Sequence, residues 1–496
     1  MNIIDRAIAL LSPAAALKRE AARKRLESVR RFEGAALNRR TSGWLAPSTS
    51  VNADLWRDLS GLRNRSRNLI ANNPWAARGV AVVSANVVGA GILAHVETGA
   101  KTRNRRVMDY WDRWADSRDC DADGRCNLYG LQDLVMRTVV GQGECLIRRR
   151  KRRPEDGLLV PMQLQILEPD YLDASRDGAL PNGGRITQGI ETDALGRRQA
   201  CWLYREHPGD RTTSSIESLR VPASEIEHVF RIERPGQMRG YPWLAPVMLT
   251  LHDFDAFEDA YLLRQKLANC IMGFVRGPEG ADPISEDEDG FPARMEPGTL
   301  PQLPPGWDVT FSNPPPAAGY AEYVKSIQHR IAAGLGITYE ALTGDLSDVN
   351  FSSGRMGWLE MHRNIDAWRW LMLIPSLDRI ATWFVEALKE VANDNMLKNA
   401  AWQWSPPRRE MIDPTREIPA MRDAIRAGIT TLSETIRQTG YNPAEVLAEH
   451  AEDNTLLDQL ELVFDSDPRT IGKSIKVSEA TAADTRDPQA ENSSNE

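Results

Sequence analysis

Cysteine is scarce. Cys120, Cys126, Cys145, Cys201 and Cys270 are the five in 496 residues, an odd number with no C-x-x-C spacing among them. That excludes a disulfide framework and a structural zinc site, and makes a reducing compartment the expectation. No run of about 18 uninterrupted apolar residues occurs, so no membrane partner is expected, in keeping with a mean hydropathy of −0.44. Histidine is also sparse: seven, scattered from His95 to His450, without paired metal-ligand spacing. H-E-x-x-H and G-x-S-x-G are missing, so no reaction class is suggested and neither catalytic residues, metal nor cofactor are expected. An excess of cations is lacking too, with 61 Lys+Arg against 69 Asp+Glu and a net charge of −8. Tight phosphate binding is driven by Lys and Arg, so the balance counts against a firmly held nucleic acid.

What is present is globular in composition, 42% hydrophobic and 26% charged, with length for about three domain-sized units. The charge is uneven. Residues 1–40 carry ten Lys/Arg and four Asp/Glu, +6 there and −14 for the rest. The apolar stretch from Ala7 to Leu11 precedes this basic cluster, the reverse of a signal peptide. A basic arm over 1–51 suits a nucleic acid, an anionic membrane or an acidic neighbour, or is a solvated helix covering a partner subunit. The Ser/Thr/Asp/Glu-rich end, 466–496, reads as a disordered tail. Three partial motifs fail on inspection. Asp119, Asp121, Asp123 and Gly124 open like a calcium loop, but Gly130 stands where a bidentate Glu is needed, which leaves a turn. Gly472-Lys473-Ser474 has Asp467 in place of the leading phosphate-loop glycine, and Gly89-Ala-Gly91 is too short for a dinucleotide fingerprint.

Periodicity predicts helices from Asn52 to Ile92, with Asn73-Pro74 opening the second, and a further helix with Tyr110, Trp111 and Trp114 on one face. Strands are predicted at Cys145–Arg148, Met162–Ile166, Gln199–Tyr204 and Ile226–Phe230. A long helix follows over Pro246–Met272. Arg276–Gly319, with ten prolines and the run Glu286, Asp287, Glu288, Asp289, forbids helix. Helix resumes over Tyr320–Leu335, breaks over Gly336–Asn350, and restarts with Ser352 or Ser353 as N-cap. Trp358, Met361, Ile365, Trp368 and Met372 form its apolar stripe, and Pro375 should kink or interrupt it before it continues to about Val391. Trp358, Trp368 and Trp370 are read as packing. Asp413–Leu462 is helical again, with a new start at Asn442-Pro443.

Two stretches are more specific. One is Phe230-Arg-Ile-Glu-Arg-Pro-Gly-Gln-Met-Arg-Gly-Tyr-Pro-Trp-Leu-Ala-Pro246, with Arg234, Pro235, Gly236, Gln237, Arg239, Gly240 and Pro242 as its motif positions. The other is Gly336-Ile-Thr-Tyr-Glu-Ala-Leu-Thr-Gly-Asp-Leu-Ser-Asp-Val-Asn-Phe-Ser-Ser-Gly-Arg355. Both resemble the lambda-like family of bacteriophage portal proteins, as do Trp111–Glu144, which ends in GQGE, and Arg63–Asn73 leading to Gly89-Ala-Gly91. Phe351 stands where the resemblance would place Tyr.

The resemblance implies an α+β portal protein fold of wing, two-helix stem, clip, tunnel loop with long kinked helix, and helical crown, assembled as a ring. The expected divisions are wing 52–245, first stem helix 246–275, clip 276–319, second stem helix 320–335, tunnel loop 336–352, kinked helix and wing return 353–408, and crown 409–465. It further implies a homo-oligomer of twelve subunits at one capsid vertex of the virion, assembled in the host bacterial cytoplasm. Double-stranded DNA would pass through it without sequence readout. The terminase large subunit, the major capsid or scaffold protein, and head-completion or adaptor proteins would dock on it. Asp253, Asp255, Glu258 and Asp259 on the first stem helix are candidates to line the channel, or else form a solvated or inter-subunit ion-pair face. Leu342, Thr343, Asp345, Asp348 and Val349 are the loop's DNA-facing candidates. Glu286–Asp289 would meet basic residues on the terminase or an adaptor, or form a solvated loop. The alternatives are another head–tail connector ring protein or a nucleic-acid-processing enzyme.

Overall fold

Asn73 shows how local chemistry starts this fold. Its side chain accepts the Ala76 amide at 2.9 Å, Pro74 fills the first helical position, and helix α2 (Pro74–Val87) follows directly on α1 (Val51–Asn72). In the computed structural model the described residues are 18, 47–210, 217–269, 273–277, 306–311, 319–392, 400–408, 411, 413–462 and 464. The chain divides into two units, residues 1–54 and 55–496; the second carries everything that follows.

Helix α2 lays Ala76, Val80, Val83 and Val87 into the main core. Strand β1 (Leu93–Glu97) pairs antiparallel with β12 (Ala401–Ser405), Leu93 opposite Ser405, so the two ends of the unit's main body meet in one ribbon. Helix α3 (Lys101–Ala115) buries Trp111 and Trp114. The Trp111 ring centre lies 4.9 Å from that of Phe384 and 4.7 Å from that of Trp402. Each such pair contributes about 0.5–1.5 kcal/mol beyond area burial. Asp121 then gathers the amides of Asp123, Arg125 and Cys126 at 2.9–3.0 Å, a side-chain-held turn that leads to α4 (Leu128–Gln142).

After α4 come β2 (Glu144–Lys151), β3 (Met162–Leu167), β4 (Gly178–Ala179), β5 (Arg185–Thr187), β6 (Ile190–Thr192), β7 (Arg198–Tyr204), β8 (Ser218–Pro222) and β9 (Ile226–Phe230). They form a three-stranded sheet β3-β2-β9 and a five-stranded antiparallel meander β4-β5-β6-β7-β8. Leu146, Leu167, Ile190, Leu203 and Val221 close a second, smaller core between them.

Helix α5 (Met248–Asn269) follows a short 3-10 turn at Ala245–Val247, so the helix proper starts two residues later than periodicity suggests. Strand β10 (Gly273–Arg276) pairs antiparallel with β11 (Asp308–Phe311), and α6 (Tyr320–Leu335) returns beside α5. The two helices meet through rings: Tyr261 on Tyr320 at 4.1 Å and Phe257 on Tyr323 at 4.6 Å.

The predicted break after Leu335 contains a one-turn helix, α7 (Tyr339–Thr343), capped by Thr338 and ended by Gly344. Helix α8 (Phe351–Trp368) is capped by Asn350 rather than by Ser352 or Ser353. Asn350 accepts the Ser353 amide at 2.8 Å while the Ser353 hydroxyl accepts the Asn350 amide at 3.1 Å. Pro375 acts as expected, in an unforeseen form: it lacks the N–H the helical ladder needs, and the chain takes a wide π turn over Arg369–Leu373 before α9 (Ile374–Ala392). From that turn Arg369 donates to the carbonyls of Val87 and Asn86 at 2.8 and 2.7 Å, closing the C-terminus of α2. Met361, Ile365, Trp368 and Met372 are buried as the stripe required, and Trp358 at its start is half-buried. Trp370 is a correction. Two residues beyond Trp368, it points to the other side of the helix and stands half exposed. Helices α10 (Pro414–Arg426), α11 (Leu432–Gln438) and α12 (Pro443–Gln459) complete the described chain.

Candidate functional site

The two family-like stretches that end in GQGE and run through Arg-Pro-Gly-Gln-Met-Arg-Gly-Tyr-Pro meet at one buried carboxylate. Glu144 and Arg239 have no exposed side-chain surface, and Arg239 places Nη2 2.7 Å and Nε 2.9 Å from Glu144 Oε1. Arg63 pairs with the same oxygen. On Oε2, His228 lies at 2.8 Å through Nε2 and the Gly240 amide donates at 2.8 Å. The third arm of Arg239, Nη1, donates to the Gln188 carbonyl at 2.9 Å. Gln237 holds the turn shut, accepting the Glu233 amide and donating to the Arg239 carbonyl, both at 2.9 Å. Arg234, Pro235 and Gly236 form its exposed tip, and Pro242 is buried.

Two glycines are required here. A Cβ on Gly143, which has φ +94°, would stand 2.2 Å from the Tyr241 carbonyl carbon, and one on Gly240 would stand 2.2 Å from the Gly143 oxygen. Backbone touches backbone, and only glycine allows it.

Burial alone would raise the Glu144 pKa; Arg239 and Arg63, with His228, hold it well below the usual carboxylate range. Burial pushes His228 down to about 4 against the pull of Glu144, and lowers Arg63 to about 10. At neutral pH the knot is one carboxylate, two guanidinium groups and a neutral imidazole. It offers no reactive atom to solvent. Its place in the chain makes it a brace: the Trp243 amide donates to Val140 O at 3.0 Å just before the chain enters α5.

Helix α5 carries the acidic candidates in differing settings. Asp253 and Asp259 are exposed, and Glu258 is half-buried, its pKa raised by burial and by Asp255 and Asp259. Asp255 is engaged within the chain, accepting from Asn73 Nδ2 at 2.7 Å. On the loop, Asp345 accepts the Tyr339 hydroxyl at 3.1 Å and the Ser347 amide at 3.0 Å, and Asp348 pairs with Lys325 of α6. Thr343 donates back to the Tyr339 carbonyl at 2.9 Å. Val349 is half-buried against Gly354. Leu342 takes a different place from the one expected. The single turn of α7 rotates it inward, where it packs beside Gly79 and Leu335 with 1% exposure. Asp348 faces outward, as does Leu346, a loop leucine that is not among the candidates. The clip acids Glu286, Asp287, Glu288 and Asp289 lie outside the described residues.

Among the described residues, Glu168, Asp170 and His207 bring possible metal-ligating atoms within 4.8 Å of one another. The Arg67 guanidinium occupies that carboxylate pair, 3.2 Å from Glu168 and paired with Asp170. The cluster is an ion-pair site with its cation already supplied.

Comparison with known proteins agrees with the two stretches. Residues 37–369 match the family described as "Phage portal protein, lambda family". The probable portal protein of Halomonas phage phiHAP-1 is 28% identical, with 93% of this chain and 92% of that protein aligned. Portal protein B of Escherichia phage lambda is 23% identical over 85% of this chain and 88% of its own length. Among solved structures, a chain from the virion of a native gene transfer agent particle aligns with 78% of this chain and 94% of its own, at 16% identity and a TM-score of 0.45. The chain belongs to the lambda family of phage portal proteins.

Proposed function

We propose that twelve copies of this chain form a ring at one vertex of a phage capsid, and that double-stranded DNA passes through it during packaging and ejection without base readout. Family membership supports the portal role, and one structural observation supports the conduit. Helices α5 and α6 stand side by side through Tyr261 and Tyr320 and lead into the β10–β11 ribbon at the foot of an insert. Copies of such a pair about an axis make a tube. In this reading α5 and α6 are the stem, 276–319 the clip, 336–352 the tunnel loop, 353–408 the kinked helix with the strand return, and 409–465 the crown. The ring would sit in the virion after assembly in the bacterial cytoplasm. It would offer docking surfaces to the terminase large subunit, to capsid or scaffold protein, and to head-completion or adaptor proteins. No chemical step is assigned to it.

The electrostatics fit passage rather than holding. DNA carries one negative charge per roughly 1.7 Å of axis, and each cation that pairs with a phosphate releases counterions and adds affinity. A wall bearing Asp253, Glu258 and Asp259 withholds that gain. Negative-stain microscopy and mass measurement test the assembly: a holed particle of roughly 670 kDa, twelve times the 55.5 kDa chain, is expected. A small oligomer without a central hole would overturn the reading.

A further inference from the structure

Lys325 of α6 is engaged on one side only. Its Nζ pairs with Asp348 of the loop and stands 5.6 Å from the centre of the Tyr339 ring. That ring stacks on His329 at 4.3 Å and donates its hydroxyl to Asp345 at 3.1 Å. Asp345 and Asp348 are therefore turned back onto α7 and α6. Leu346, between them, is left 66% exposed.

We infer that Lys325 is a phosphodiester-binding residue that Asp348 masks while the loop is folded against α6, and that departure of the loop unmasks it. The inference rests on the conduit reading for its ligand, and on the ion pair alone for its mechanism. With the loop folded, the lysine charge is cancelled by Asp348, and Asp345 adds a further negative charge, so the surface repels a phosphate backbone. An ion pair this exposed is worth little against water and salt. A duplex presenting phosphates at every step competes with the single carboxylate. Lysine suits the task because an ammonium is a compact point charge with rotatable donors, which grips a phosphate without demanding a geometry and reads no base. Asp348 is the first cause of the raised Lys325 pKa in the folded position, and the amine stays charged without it. The result is a contact available only where the loop has been displaced, which favours transient grip over permanent retention.

The test uses the assembled full-length chain, a labelled 30-base-pair duplex followed by fluorescence anisotropy across a sodium chloride series, and hydrogen exchange at residues 344–350. Four proteins are compared: wild type, Asp348→Asn, Lys325→Met and the double variant. Asp348→Asn should speed exchange in 344–350 and tighten duplex binding, steepening the slope of log affinity against log salt by about 0.9 per released lysine. In the double variant that added slope should vanish while exchange stays fast. Equal salt slopes in Asp348→Asn and the double variant would overturn Lys325 as the phosphate contact. Unchanged exchange in Asp348→Asn would overturn the mask. Failure of every variant to bind duplex at low salt would overturn Lys325 as a phosphate contact, whereas a particle without a central hole would strike the conduit reading itself, and the exchange measurement would still judge the ion pair.

Discussion

Glu144 has no exposed surface and sits among three basic side chains, so its removal and that of its partners have unequal consequences. Replacing Arg239 with Met leaves the carboxylate with Arg63, the neutral His228 and one backbone amide. Breaking a buried pair from one side costs about 3–5 kcal/mol. The expected outcome is a clear fall in the urea midpoint for Arg239→Met, partly restored by adding Glu144→Gln, because the second change removes the stranded charge. No restoration would mean that the arginine acts by packing alone. His228 adds a pH signature. Its folded pKa, about 4, lies below the ordinary 6.5, so protons bind the unfolded chain more readily. Its contribution is intact above pH 6.5 and is lost as pH falls toward 4, at about 1.4 kcal/mol per unit. Glu144, also depressed, adds its own loss below the usual 4.5. His228→Gln should flatten the stability profile between pH 6.5 and 4.5, measured by urea titration at each pH.

At the scale of elements, residue periodicity was informative where a segment is long and one-faced. The stripe from Met361 to Met372 is buried, and Trp111 and Trp114 anchor the aromatic cluster. Periodicity was silent for β4, β5 and β6, because strands of two or three residues show no alternation. It was also silent for the β1–β12 ribbon, whose partners lie three hundred residues apart and leave no local trace. The cap of α8 was misplaced because the box is closed by Ser353 rather than by the usual Glu or Gln, and two serines compete for attention beside Asn350. Leu342 and Leu346 were indistinguishable in a segment read as a break; the turn of α7 buries one and exposes the other. The brace was half legible: the sequence marked GQGE and the Arg-Gly-Tyr-Pro stretch, but not that Glu144 joins them. The cap itself can be tested. Asn350→Ala removes the side-chain half of the box, leaving the Asn350 backbone amide on the Ser353 hydroxyl, and should cost about 1 kcal/mol, seen as faster amide exchange at 351–356 with α9 unaffected. Shortening the loop within Gly344–Ser347, with Asp348 left to pair with Lys325, should leave rings assembled but impair retention of packaged DNA. Normal retention would remove the tunnel-loop role.

The whole molecule makes sense only with company, and its C-terminal helices show why. Helix α10 is strongly amphipathic, yet neither it nor α11 nor α12 has a buried residue among those described. Ile418, Ile429, Leu432, Leu456 and Leu460 are all about half exposed or more, as are Leu262, Leu263 and Leu267 on α5. Helices of this length are marginal in water without an apolar partner, and burying a leucine or isoleucine contributes about 1.5–3 kcal/mol. A single chain leaves that contribution unused, whereas a closed ring of copies can recover it at every junction. The net charge of −8 fits the same design, since like-charged bodies associate only where apolar contact outweighs repulsion. Two substitutions follow. Ile418→Asp combined with Leu456→Asp should lower the ring yield at least several-fold in size-exclusion chromatography with light scattering, while the urea midpoint of the dissociated chain stays unchanged because neither side chain touches its core. Hydrogen exchange should agree: amides across α10–α12 protected in the ring and nearly unprotected in the dissociated chain, with those of α2 and α4 protected in both. Rings that persist at full yield in the double variant would place the subunit junction elsewhere, with the exposed leucines of α5 as the next faces to test.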